Sequence, residues 1–214
     1  FYPTPSEIIS VAAFYKNFTN PIESVFAGSN NDLTFDNAES AYSTGIEVEV
    51  KKSLDRLTDS KLLSKVNLVF NGAFIYSRVK FGANVIEQSD NRPLQGQSPY
   101  IINAGINYND NVKNTQINLL FNVIGKRIYA VGNNIAAGYP DWYEMPRNVL
   151  DLTFSKEVYK NIIIKGGITD ILNNKNLILQ DGNKDGEFNS SSDQTIQSFS
   201  PGRVYALGVV YTIR

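Results

Sequence analysis

Asp181-Gly182-Asn183-Lys184-Asp185-Gly186-Glu187-Phe188 is the stretch whose residue types and spacing come nearest to a cation site. Side-chain oxygens at alternate positions can wrap a hard cation, and a glycine after the third of them permits the sharp turn such a loop needs. The candidate ligands are Asp181, Asn183, Asp185, Glu187 and Asp193. The twelfth position of a calcium loop carries a bidentate Glu; here it is Ser192, with Asp193 one residue beyond. Calcium is thus the cofactor these residues could hold. The same Asp-Gly pairs also suit a purely hydrogen-bonded polar turn.

Three other groups have chemical potential. Glu47, Glu49 and Lys51 alternate with Ile46, Val48 and Val50, so they share the wet face of an extended strand. They could line a permeation path or simply fill a polar interior. Asp141-Trp142-Tyr143-Glu144, with Tyr129 and Tyr139 nearby, offers flat surfaces for stacking on sugars or aromatic chelators; it equally suits an interfacial aromatic belt. Lys126-Arg127 could meet lipid phosphates or sit in a solvated turn. Catalysis has little to draw on. The 214 residues include no cysteine and no histidine, which removes thiolate nucleophiles, Ser-His-Asp triads and most transition-metal sites. An enzyme is not expected. With 20 Lys+Arg against 21 Asp+Glu, no basic excess exists to neutralise nucleic-acid phosphates, so no nucleic-acid partner is expected either.

The elements that must carry these residues are strands. Period-two alternation pervades the chain and predicts eight of them: Glu7–Phe18, Thr34–Lys52, Leu62–Phe81, Gln97–Tyr108, Thr115–Tyr129, Arg147–Glu157, Asn161–Ile171 and Gly202–Ile213. Several exceed the roughly 9–11 residues that a transmembrane β-strand requires. Their connections alternate in length. Ser53–Lys61, Asn109–Asn114 and Val158–Lys160 are the shorter ones; Thr19–Leu33, Gly82–Gly96, Ala130–Pro146 and Leu172–Pro201 are long, polar and rich in Gly and Asn. Tight turns at one end and large loops at the other are what a membrane β-barrel produces. Abundant Tyr (12) and Phe (12) suit aromatic girdles, and Tyr100, Tyr108, Phe154, Tyr159 and Tyr211 fall near strand ends. No apolar run approaches the ~18 residues of a spanning helix. The opening Phe1-Tyr2-Pro3-Thr4-Pro5 reads like the middle of a longer protein.

Asn91-Arg92-Pro93-Leu94-Gln95-Gly96-Gln97-Ser98-Pro99-Tyr100-Ile101-Ile102-Asn103 resembles a segment of TonB-dependent outer-membrane receptors, in particular those of the Bacteroidota. Phe14-Tyr15-Lys16, Asn20-Pro21-Ile22-Glu23, Gly45-Ile46-Glu47, Pro146-Arg147-Asn148, Asp170-Ile171-Leu172-Asn173 and Ser200-Pro201-Gly202-Arg203 resemble further segments, in the family's order. The resemblance implies an all-β fold, a transmembrane antiparallel β-barrel, of which this chain would be about the last eight of twenty-two strands. The plug domain, the TonB box and the earlier strands would lie outside it. It implies short turns on the periplasmic side and long loops outside, in the bacterial outer membrane. It further implies uptake of a scarce nutrient (siderophore, vitamin, glycan or peptide), with the TonB–ExbB–ExbD complex, outer-membrane lipid, the small ligand and a surface lipoprotein lid as partners. The chain ends Tyr211-Thr212-Ile213-Arg214, where such barrels often end in an aromatic residue. Two other readings fit the alternation: a self-contained eight-stranded outer-membrane barrel serving as anchor or adhesin, and a soluble extracellular β-domain binding calcium or carbohydrate.

Overall fold

The computed structural model describes residues 1–4, 6–27, 30, 32–80, 92–133 and 139–213. The expected strand end at Phe81, residues 82–91 of the second long connection, residues 134–138 of the third, and Arg214 lie outside the described residues.

Among the described residues fourteen strands follow in chain order: β1 (Ile8–Thr19), β2 (Ile22–Ala27), β3 (Asp32–Asn37), β4 (Ser40–Ser53), β5 (Val66–Lys80), β6 (Tyr100–Asp110), β7 (Thr115–Ile124), β8 (Arg127–Ala130), β9 (Trp142–Glu144), β10 (Arg147–Tyr159), β11 (Ile162–Thr169), β12 (Asn176–Gln180), β13 (Gln194–Phe199) and β14 (Val204–Tyr211). Eight of them form one antiparallel sheet in the order β1-β4-β5-β6-β7-β10-β11-β14. This is the wall. Each member pairs with the next wall strand along the chain, an up-and-down meander. β1 and β14 each have one wall neighbour, so the sheet is open and does not close on itself as an eight-stranded barrel.

Because side chains alternate across a strand, register decides which residues share a face. Leu68, Ile106, Leu119, Leu152, Ile168 and Tyr205 form an unbroken row across six strands. Val11, Val48, Gly72, Ile102 and Val123 form another. The opposite face carries Glu49, Asn71, Asn103 and Asn122 in one row and Asn67, Asn107, Asn118 and Thr153 in the next. One face of the wall is therefore a continuous apolar band and the other a polar floor. The band is bare: Val11, Ile46, Phe74, Tyr205, Leu207 and Val209 are all exposed. A soluble domain would have to cover a patch of this extent.

Two of the turn-end connections are tight; the third, residues 54–65 between β4 and β5, is longer and ends in a 3-10 helix, Leu63–Lys65, so the strand expected from Leu62 starts at Val66. Asn114 and Asn161 take positive φ angles of 44° and 65° immediately before β7 and β11, a conformation that Asn tolerates better than other non-glycine residues. Ion pairs brace the same end: Glu7 to Lys52 at 2.7 Å and Lys65 to Asp110 at 2.6 Å.

The long connections hold structure that the alternation does not predict. β2 and β3 form a hairpin, and β13-β12-β9-β8 form a four-stranded sheet. The expected second strand, Thr34–Lys52, merges β3 with β4. The chain breaks between them at Ala38–Glu39, where Asn20 and Ala38 donate their backbone N–H groups to Glu39 and Pro21. The expected fifth strand, Thr115–Tyr129, likewise joins two elements. β7 leaves the wall at Gly125, where a Cβ would meet the Tyr100 ring at 2.8 Å and Ser98 Oγ at 2.9 Å, and β8 then joins the second sheet.

Candidate functional site

The loop end of the wall carries a small folded layer. β2 and β8 come together through Val25 and Val131: Phe26 N–H donates to the Val131 carbonyl and Val131 N–H to the Ser24 carbonyl, each at 2.9 Å. Val25, Ile128 and Val131 form its buried core, with Tyr143 packed against them. Phe26 adds a tilted contact to Trp142 at 4.6 Å and an edge contact to Tyr139 at 5.0 Å. Trp142 and Tyr143 thus belong to strand β9 and to this layer's packing, not to an irregular loop or to the wall's interfacial belt.

A buried ion pair ties the layer to the wall. Arg92 donates from Nη1 and Nη2 to Glu23 Oε1 and Oε2 at 2.9 and 2.6 Å, and both side chains are almost wholly buried. This fork-on-fork geometry gives a strong, directional pair. Gln95 N–H donates to the same Glu23 Oε1 at 3.1 Å; its side chain accepts from Ser24 N–H and donates to the Tyr129 carbonyl, both at 2.6 Å. Val79 N–H, at the end of β5, donates to the Arg92 carbonyl at 3.0 Å. The segment Arg92–Gly96 therefore fastens three elements together.

Beside it lies a cavity of about 340 Å³ lined in part by Tyr76, Arg78, Lys126, Arg127 and Tyr143. Arg127 is paired with Glu144 at 2.7 Å. Arg78 donates from Nε to the Tyr76 hydroxyl at 2.8 Å and stacks on its ring. Lys126 is not in a solvated turn: its Nζ lies 4.0 Å from the centre of the Phe188 ring and 5.2 Å from that of Tyr143, and the two rings are 4.8 Å apart. Burial lowers the Lys126 pKa, with the negative charges of Glu187 and Asp181 acting in the opposite sense. Burial pushes the Tyr143 hydroxyl up to about 12, helped by the neighbouring Asp141 charge. It raises the Asp141 carboxyl too, against a hydrogen bond from Gly132 N–H.

The acidic loop is held by its own backbone. Gly186 N–H donates to Asp181 Oδ2 at 2.8 Å, Asp185 N–H reaches Asp181 Oδ1 and Asn183 Oδ1, and Glu187 N–H donates to Asp185 Oδ1. Asp181, Asn183, Asp185 and Glu187 are thus brought into one turn. Asp193 stands apart from these contacts: its Oδ2 accepts from Asn189 N–H at 2.7 Å. Among the described residues no group of three or more acidic side chains is placed to hold a metal ion.

Glu47, Glu49 and Lys51 lie, as expected, on the face opposite the apolar band. On that floor Asn122 donates to Asn103 at 2.7 Å and Asn118 to the Thr153 hydroxyl at 3.1 Å, beside a hollow of about 390 Å³ that Asp151 also lines. The Arg92–Glu23 fork and the second sheet were not legible locally. Their one sequence signal is an Arg and a Glu inside segments rich in Pro, Gly and apolar residues.

Residues 2–171 match the model of the TonB dependent receptor-like β-barrel family. The chain belongs to this family. Its fold is that of solved receptors: the ferric yersiniabactin uptake receptor FyuA of Yersinia pestis (TM-score 0.61, 16% identity), the unliganded ferric citrate transporter FecA (0.65, 13%) and the FrpB iron transporter of Neisseria meningitidis (0.57, 12%). The match covers 98% of this chain in each case but only 28%, 29% and 28% of those receptors. This TonB-dependent receptor chain therefore spans under a third of their length. No curated protein matches it in sequence. The family and these neighbours are transport receptors, not enzymes, and TonB-dependent receptors are outer-membrane proteins.

Proposed function

We propose that this chain is the C-terminal part of the wall of a Bacteroidota-type TonB-dependent receptor. The intact protein would be a barrel of about twenty-two strands that imports a scarce nutrient across the outer membrane. The observation that carries the reading is the eight-strand apolar band running in register across a sheet left open at both edges. A lipid-facing wall needs that band, and the rest of a larger barrel would cover β1 and β14. The open edges favour this over a self-contained eight-stranded barrel; the bare band favours it over a soluble domain.

In this reading the turn end faces the periplasm and the folded loop layer faces outside. The polar floor lines the lumen, where a plug domain would sit. The folded loop layer is where a siderophore, vitamin, glycan or peptide would first be held. Energy would come from the TonB–ExbB–ExbD complex acting on parts of the protein beyond this chain, and a surface lipoprotein could close over the loops.

The test is growth of a deletion strain on defined nutrients, with the full-length protein restored. Loss of growth on one nutrient class, rescued by the wild-type gene and accompanied by its product in the outer-membrane fraction, is expected. A product that partitions into the soluble fraction, or a strain that grows equally on every nutrient, would contradict the reading.

A further inference from the structure

The acidic turn has the alternating oxygens of a cation site, yet the Asp181 and Asp185 carboxylates and the Asn183 amide oxygen already accept backbone N–H groups. A cation is nonetheless present, supplied by the chain itself. The Lys126 ammonium lies against Phe188, the residue that ends the acidic stretch, and against Tyr143 of β9. Glu187 and Asp181 draw on the same charge without forming an ion pair with it. Lys126 follows Gly125, the point where the chain leaves the wall, so its backbone position is set by the sheet and not by the loop. An ammonium over two aromatic faces, with carboxylates around it, is a complete cation site of the cation–π kind.

We propose that Lys126 is the built-in cation of the 181–188 turn: held on the Phe188 and Tyr143 rings beside the turn's oxygens and not among them, it supplies the positive charge that a calcium ion would otherwise bring and latches the fourth long connection against β9. Three separate pieces of chain then meet at one charge: the β7–β8 corner through Lys126, β9 through Tyr143, and the acidic turn through Phe188. The latch leaves the turn's oxygens to the backbone and uses the rings to hold the charge. It also explains why the turn can be ordered without the bidentate acid that a calcium loop carries at its twelfth position. The latch itself does not depend on the receptor reading; only its placement at a ligand-capturing mouth does.

The experiment is hydrogen exchange of amides 181–193 in the full-length protein in detergent, with and without calcium at about 1 mM, enough to load even a weak extracellular-type site. Lys126→Met keeps the aliphatic stem and removes the charge; exchange across the turn should rise roughly tenfold, the factor for a cation–π contact near 1.4 kcal/mol. Lys126→Arg should restore protection, because a guanidinium also stacks on rings. Calcium should leave the wild-type turn unchanged and partly re-protect the Met variant. Equal exchange in wild type and Met variant would overturn the proposal, as would calcium protection of the wild-type turn. If the Met variant fails to fold, the calcium arm on wild-type protein and the Arg variant still decide the matter. Exchange outside 181–193 reports folding separately, and failure of nutrient uptake with an intact latch would count against the receptor reading alone.

Discussion

The wall and the loop layer are both built from antiparallel strands, yet they treat apolar side chains in opposite ways. In the wall, Leu207 is 80% exposed and Val11 69%; in the layer, Val131 is 0% exposed and Ile128 1%. The difference lies in the surroundings each region is built for, not in its strands. A wall strand satisfies its backbone within the sheet and presents its apolar side chains to lipid, so it needs no core. On the proposed reading the layer stands in water, and it buries its few large residues against one another, helped by an ion pair and by aromatic contacts.

The largest effect that would sharpen this contrast is at the buried fork. Arg92→Ala leaves Glu23 buried and unpaired, and should cost about 3–5 kcal/mol. Limited proteolysis of the intact protein should then cut within β2–β3 or β8–β9, while the wall strands stay resistant. Simultaneous loss of the wall would show that the two regions fold as one unit. Next is Ile128→Ala, which opens a cavity in the layer's core and should cost about 2–5 kcal/mol; thermal unfolding of the layer reads it. Third is a charge placed on either face of β14. Leu207→Arg on the band should cost about 2–4 kcal/mol if that position lies near the bilayer midplane. Gly208→Arg on the floor, where a Cβ meets nothing within 4 Å and the side chain would enter a wet lumen, should cost well under half of that. Unfolding in lipid vesicles compares the two, and equal costs would break the assignment of faces.

The smallest effect concerns pH. Burial raises the Asp141 carboxyl, so the folded layer holds that proton more tightly than the unfolded chain does. The contribution is present at pH below the ordinary carboxylate value and is lost as pH rises through the raised folded value. Asp141→Asn keeps an acceptor for Gly132 N–H and should remove that part of the pH dependence. Layer stability measured across the acidic range checks it; an unchanged slope in the Asn variant would contradict it.

The contrast also marks what can be read from sequence. Wall strands announce themselves because every second residue obeys one rule along eight or more positions. Arg147–Glu157 and Gly202–Ile213 were expected, and β10 and β14 run Arg147–Tyr159 and Val204–Tyr211. The layer is silent because its strands are short and their partners distant. β9 has three residues, and its Leu179 partner for Tyr143 lies far along the chain in β12. Too few alternations exist to signal a face, and burial there comes from tertiary contacts alone. The same limit explains the merging of β3 with β4 and of β7 with β8. Local spacing shows the acidic turn of Asp181, Asn183 and Asp185; nothing local shows that Lys126 lies against Phe188 at its edge.

The central claim is that Ile46, Val48 and Val50 face lipid while Glu47, Glu49 and Lys51 face a wet lumen. Spin labels placed singly at these six positions of β4 in the full-length protein, reconstituted in bilayers, test it most directly. Relaxation by oxygen should dominate at 46, 48 and 50, and relaxation by a water-soluble metal complex at 47, 49 and 51. A flat profile, or the reverse alternation, would contradict the account.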